Sequence, residues 1–182
     1  MYSHASTPVK FDRDCQVIMV PSGDAVTIPV GTIGYITQAL GGSYTVFIEG
    51  NLFRVAGNDG DAIGKEIVPP PTLPDGATRE DIEKLMWHQM KTVYDPEIPV
   101  NVVDLGLIYS CHLDETDGRR EINVEMTLTA PGCGMGDILV ADVRDKLQMI
   151  PTIDKANVEL TLDPPWTMEM MSEVARLQTG ML

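Results

Sequence analysis

The stretch Glu121-Ile122-Asn123-Val124-Glu125-Met126-Thr127-Leu128-Thr129-Ala130-Pro131-Gly132-Cys133-Gly134-Met135-Gly136-Asp137 decides the fold. Its first half alternates. Ile122, Val124, Met126 and Leu128 point one way, and Glu121, Asn123, Glu125, Thr127 and Thr129 point the other, which predicts a half-buried strand with the polar set outward. The glycine-rich turn 131–136 ends the strand. A helix is expected from near Asp137, with Leu139, Val143, Leu147 and Ile150 as its apolar stripe. A further strand is expected over 156–162.

Upstream, Leu105, Leu107, Tyr109, Cys111 and Leu113 share one face of a strand, joined to the first by a turn over 114–118. Before it, Thr78-Arg79-Glu80-Asp81 is a capping signal for a helix whose face carries Ile82, Leu85, Met86, Gln89, Met90 and Val93. Asp95-Pro96 is read as its stop. After Asp163-Pro164-Pro165-Trp166 a last helix is expected from Thr167. The order is α-β-β-α-β-α, a three-stranded sheet with helices on one face.

Residues 69–76, Pro69-Pro70-Pro71-Thr72-Leu73-Pro74-Asp75-Gly76, read as a proline-rich linker. Before it, short β-rich runs over 16–20, 25–29, 32–38, 44–49 and 52–56 alternate with Gly and Pro punctuation, and no helix is expected. Strands at that spacing predict a small barrel. The expected class is therefore α+β: a barrel-like module over 1–68, the linker over 69–76, and an α+β domain over 77–182.

Composition narrows the function. The 182 residues include 43% hydrophobic side chains, enough for a core, and 13 basic against 27 acidic side chains give −14. Residues 1–70 hold four basic and seven acidic groups, and residues 71–182 hold nine and twenty, so the acidity is concentrated after the linker. Such a charge repels phosphate backbones and anionic membranes, so neither nucleic acid nor membrane is expected as a partner. No apolar run approaches the roughly 18 residues of a spanning helix. No secretory h-region opens the sequence, so a cytoplasmic protein with reduced thiols is expected.

Cys133 is the most suggestive residue. It stands in a glycine turn before a helix, where backbone N–H groups and the helix dipole favour a thiolate, and the flanking Gly132 and Gly134 leave room for another molecule. Asp95 and Glu97 flank a proline, a pair suited to orienting a cation, accepting N–H groups or acid–base work; taken alone, a helix stop is the plainer reading. Asp104 has the same ambiguity. Cys111 falls on an apolar strand face and is read as core, and Cys15 lies at a strand edge. His88 and His112 have no ligand-spaced partner, and Met168, Met170 and Met171 form a soft face of the last helix. With three cysteines, a stable four-thiolate iron–sulfur site is not available within one chain.

The run Asp95-Pro96-Glu97-Ile98-Pro99-Val100-Asn101-Val102-Val103-Asp104-Leu105-Gly106-Leu107-Ile108-Tyr109 resembles the signature of the MIP18-type (DUF59) domain. A second motif, Thr-x-Thr-x-x-x-Cys, is matched by Thr127, Thr129 and Cys133, and Asp163-Pro164-Pro165-Trp166-Thr167 with Ser172-Glu173 is similar to bacterial members. The front half, including Gly41-Gly42-Ser43-Tyr44-Thr45-Val46, resembles the extra module of the longer SufT proteins, although Leu40 replaces an expected histidine. The resemblance implies an accessory, non-enzymatic factor in iron–sulfur protein maturation. It would have no permanent cofactor, carry a transient iron–sulfur cluster or dock a cluster carrier, and meet assembly machinery and apo-clients. A homo-oligomer bringing two Cys133 thiols together is a further expectation, carried by no particular residue. The resemblance maps a reactive cysteine onto Cys133, as functional thiol or transient metal ligand, in a pocket shaped by Asp95, Glu97, Asp104, Thr127, Thr129, Gly132 and Gly134. A thiol enzyme with Cys133 as nucleophile and a purely structural interaction module are the alternatives.

Overall fold

A computed structural model of the chain describes residues 6–132 and 134–181. The chain divides into two compact units, Met1–Pro69 and Pro70–Leu182.

In the first unit, Gly and Pro turns separate β1 (Thr7–Lys10), β2 (Cys15–Val20), β3 (Ala25–Ile28), β4 (Ile33–Leu40), β5 (Ser43–Ile48) and β6 (Asn51–Val55). They form one six-stranded sheet in the order β1-β4-β5-β6-β2-β3, with every neighbouring pair antiparallel. Alternation turns Val9, Cys15, Val17, Ile28, Ile36, Val46, Ile48, Phe53 and Val55 into one core. The expected barrel is corrected to an open sheet. β1 and β3 are the two edges, four residues each, and they do not pair with one another among the described residues. The inner face is covered instead by Phe11 and by an unforeseen 3-10 helix, Gly57–Ile63, which buries Ala62 and Ile63. Asp12 N–H donates to Ala62 O at 2.8 Å, tying that cover to the chain after β1.

The second unit begins with α1 (Arg79–Met90). Its Thr78 hydroxyl accepts from the Asp81 N–H while the Asp81 carboxylate accepts from the Thr78 N–H, a complete capping box. Then come β7 (Ile108–Thr116), β8 (Arg119–Met126), α2 (Gly136–Gln148), β9 (Lys155–Leu160), a 3-10 turn (Met168–Met170) and α3 (Glu173–Thr179). β7 and β8 are antiparallel, and β8 and β9 are parallel, with α2 as the crossover. Ile82, Met86 and Met90 of α1, Leu139, Val143 and Leu147 of α2 and Ala175 of α3 pack with Leu113, Ile122, Val124, Met126 and Ala156 in a single core. On the other face of this sheet Asn157 donates to Asn123, which donates to Asp114, at 2.9 and 2.7 Å.

Three local expectations change. Leu105 and Leu107 are buried but precede β7, whose register shifts between Ile108 and Ser110. Thr127, expected outward, is 1% exposed, because β8 ends at Met126 and the chain turns so that the Thr127 N–H donates to Leu107 O at 2.8 Å. Thr167 opens only the 3-10 turn. The last helix starts at Glu173, where the Ser172 hydroxyl accepts from the Ala175 N–H at 3.1 Å. The methionines before it divide: Met171 is buried, while Met168 is exposed.

Candidate functional site

Two loops and a glycine turn carry the residues singled out by sequence. After α1 the chain forms a bridge between Tyr94 and Asn101, and Asp95 N–H donates to Val100 O at 3.1 Å. The Asp95 side chain points inward at 6% exposure, and its Oδ1 accepts from the N–H groups of Glu97 and Ile98 at 2.8 and 2.9 Å. Burial pushes this carboxyl above its ordinary value, against the pull of the Ile98 and Glu97 N–H groups, which favour the charged form. Asp95 thus holds its own loop closed, while the Glu97 side chain is exposed.

The second loop uses the same chemistry one step on. Asn101 Oδ1 accepts from the Val103 and Asp104 N–H groups at 3.1 and 2.9 Å, and Asn101 Nδ2 donates to Asp104 Oδ2 at 2.6 Å. Backbone bonds link both loops to the strand end. Val102 N–H donates to Val93 O, Leu107 N–H to Val102 O, and Thr127 N–H to Leu107 O, at 2.9, 3.0 and 2.8 Å. The loops of Asp95 and Asp104 are therefore fastened to the point where β8 releases the chain.

The segment before α3 closes over the second loop. Trp166 Nε1–H donates to Leu105 O at 2.7 Å, Tyr109 O–H to Pro164 O at 2.7 Å, and Ser172 N–H to Asp104 O at 2.8 Å. Gly106, at φ +75°, lies against Met170. A Cβ there would stand 2.7 Å from the Met170 carbonyl carbon. Asn101, Gly106, Tyr109, Trp166 and Ser172 stand in the quoted motifs but not among the expected site residues. The Asn-x-x-Asp spacing of 101–104 and the Ser-Glu pair at 172–173 are signals that point to them.

Downstream of Thr127, Thr129 is half-buried and Gly132 and Gly134 are exposed. Gly132 takes φ +79° with nothing within 4 Å of a Cβ position. Cys133 lies outside the described residues. At the start of α2, Met135 is buried and its side chain makes no cap bond, while Gly136 lets Leu128 approach so closely that a Cβ would lie 2.7 Å from its Cδ1. Among the described residues, no hydrogen bond joins the carboxylates of Asp95, Glu97 and Asp104 to one another. No three His, Cys, Asp or Glu side chains among them group as a metal site.

The other thiols are packed. Cys111 sits opposite Val124, half-buried against the C-terminal core, and burial together with the charge of Glu83 pushes its thiol up to about 12. Cys15 is 1% exposed, and burial followed by the charge of Asp59 raises its pKa. Both belong to structure.

A family model described as iron–sulfur cluster assembly protein matches residues 86–160. The chain is 46% identical over 105 residues to an Fe-S protein maturation auxiliary factor of Porphyromonas gingivalis, covering 58% of this chain and 93% of that one. The chain belongs to the DUF59 family of iron–sulfur cluster assembly proteins. Within this family it is also 39% identical over 88 residues to the Fe-S protein maturation auxiliary factor SufT of Staphylococcus aureus, covering 48% of this chain and 97% of the relative. A crystal structure of a DUF59 domain from Bacillus anthracis matches at TM-score 0.50 and 32% identity, over 57% of this chain and 95% of that one. The DUF59 match begins within α1 and ends with β9, so it takes in both loops, Thr127 and the glycine turn. The six-stranded unit and the segment closing on Gly106 lie outside it. Among the described residues, no helix is long and apolar enough to cross a membrane.

Proposed function

We propose that this DUF59 protein is an accessory factor in iron–sulfur protein maturation, working by transient contact with a cluster or its carrier and with apo-clients. The observation that carries this reading is the kinship with relatives named Fe-S protein maturation auxiliary factors, which the chain covers over 93% and 97% of their lengths. The cluster is cargo on this reading, not a resident cofactor, and the protein acts as an adaptor in the cytoplasm, not as a catalyst.

Cys133 is the proposed thiol that meets the cargo. Three observations around it support that role. Gly132 and Gly134 put no side chain beside it, the N-cap of α2 is Met135, whose side chain makes no cap bond, at a helix end whose dipole favours an anion, and two loops brace the strand end that leads into the turn. On this reading Asp95, Asp104 and Thr127 would shape the pocket for the thiol through the bonds of the loops that brace the strand end, and the exposed Glu97, Gly132 and Gly134 with the half-buried Thr129 would complete it. A net charge of −14 suits docking on basic patches of partners, an attraction that weakens as salt rises.

The test is the activity of an iron–sulfur enzyme in cells lacking this protein, complemented with the wild-type chain or Cys133→Ala at matched levels under high iron–sulfur demand. Recovery with the wild type alone supports a maturation factor acting through that thiol. Recovery with both variants removes the thiol from the mechanism and leaves docking. No recovery across a panel of such enzymes refutes the maturation role.

A further inference from the structure

The outer face of the N-terminal sheet carries exposed large apolar side chains and no carboxylate on its strands. The seven acidic residues of 1–70 all lie outside the strands, in connections or in the 3-10 helix, and β1 to β6 contain no Asp or Glu. The register sets Pro8 opposite Tyr35, Tyr35 opposite Phe47, Phe47 opposite Leu52, and Leu52 opposite Val20. Directly opposed residues share a face, so this is one continuous apolar row across five strands. It is the face turned away from the core, since the alternate residues Val9, Ile36, Val46, Phe53 and Val17 are buried. Ile33 is 64% exposed, Tyr35 46%, Phe47 40% and Leu52 37%. The charges on the strands of this face are Lys10, opposite Ile33, and Arg54, between Thr45 and Ile18.

A sheet face left to water carries polar side chains, and a contiguous apolar stripe on a folded protein marks a contact surface. We propose that this face is where two copies of the chain meet, packed sheet on sheet about a two-fold axis. Charge allows this occupant. Two copies at −14 each repel one another wherever their carboxylates are brought together, and the strands of this face hold none. The size also fits. Six strands spaced about 4.8 Å, each four to eight residues at about 3.3 Å, give a footprint of roughly 500 Å² per copy. A pair then buries on the order of 1,000 Å², the lower bound for a specific interface, so the dimer is concentration-dependent. A two-fold lays the row Tyr35–Phe47–Leu52 on its own copy, as an isologous contact requires.

Sedimentation of the full chain tests this. The mass should rise from 19.9 kDa towards twice that value as concentration increases from about 1 to 100 µM, and the association should tighten with added salt, which screens the mutual repulsion. Phe47→Lys and Tyr35→Lys, each placing a charge on an outward side chain, should move the midpoint at least about tenfold upward with an unchanged circular dichroism spectrum. Leu177→Lys, on an apolar residue 58% exposed in α3, should leave the midpoint where it is. A monomer at every concentration, a dimer indifferent to both sheet variants, or one broken by Leu177→Lys overturns the proposal.

Discussion

Gly106→Ala should be among the most damaging single-methyl additions in the C-terminal unit, and its cost can be worked out from two parts. The first is conformational. At φ +75° an alanine sits in the left-handed region, which costs about 1 kcal/mol or slightly more. The second is steric. The new Cβ would lie 2.7 Å from the Met170 carbonyl carbon and 2.9 Å from Met170 Cβ, so the segment before α3 has to lift. Lifting it gives up the Trp166–Leu105, Tyr109–Pro164 and Ser172–Asp104 hydrogen bonds, each contributing about 1 kcal/mol. The sum is on the order of 4 kcal/mol. Gly118→Ala is the matched control, with φ +76° and nothing within 4 Å of its Cβ position, so it should cost about 1 kcal/mol alone. The assay is urea unfolding followed by tryptophan fluorescence, since both tryptophans, Trp87 and Trp166, lie in the C-terminal unit. With an m-value of about 1.5 kcal/mol/M, the Gly106→Ala midpoint should fall by roughly 2 to 3 M and that of Gly118→Ala by less than about 1 M. Equal shifts for the two variants would refute the close packing of the segment on Gly106.

At Asp95 the folded chain holds its proton more tightly than the unfolded chain. The stability it contributes is complete below its ordinary value of 3.8 and is lost as pH rises through the raised value. Asp95→Asn, which keeps the acceptor for Glu97 and Ile98, should flatten that part of the stability–pH curve, whereas Asp95→Ala should cost about 1–2 kcal/mol at any pH; a curve unchanged in Asp95→Asn counts against this account. Cys15 and Cys111 should resist iodoacetamide at pH 8 in the native chain and react once urea is added, as mass spectrometry of the labelled peptides reads; fast native labelling of Cys111 would contradict its raised pKa. Thr78→Ala removes the capping box of α1 and should lower stability by about 1 kcal/mol in the same urea assay, with no loss arguing that the box is idle.

Residues whose role is set by their immediate neighbours were legible from sequence. Ile122, Val124 and Met126 alternate along β8 and are buried, and Thr78 and Asp81 read as a cap and form one. Alternation misplaces Thr127 because it holds only while the strand lasts, and a bond to Leu107, twenty residues earlier, accompanies the strand's end at Met126. Thr167 has the composition of a helix start, yet the chain there is held by Trp166 and Ser172 to Leu105 and Asp104, contacts that no local window contains. Closure of the front strands into a barrel was a matter of what covers Val46 and Phe53. Glycine- and aspartate-rich residues 57–63 gave no periodic signal that they would supply that cover. Of the candidate site, the importance of Asp95 and Asp104 could be read, but not that their carboxylates serve their own backbones.

The parallel pairing of β8 with β9 bears on how the C-terminal unit assembles. β7 and β8 meet across the two-residue turn Asp117-Gly118, so their hairpin can form on the microsecond scale. Glu121 waits for Lys155, beyond the whole of α2, before its strand gains a second neighbour. During synthesis the far edge of β8 is therefore bare after its near edge is already zipped, and a bare edge is a template for pairing with other chains. Arg119, Arg120, Glu121 and Glu125 guard that interval, since a strand so charged pairs poorly with a chance neighbour. Pulse-labelled hydrogen exchange during refolding reads the order directly, with β7 and β8 protected ahead of β9.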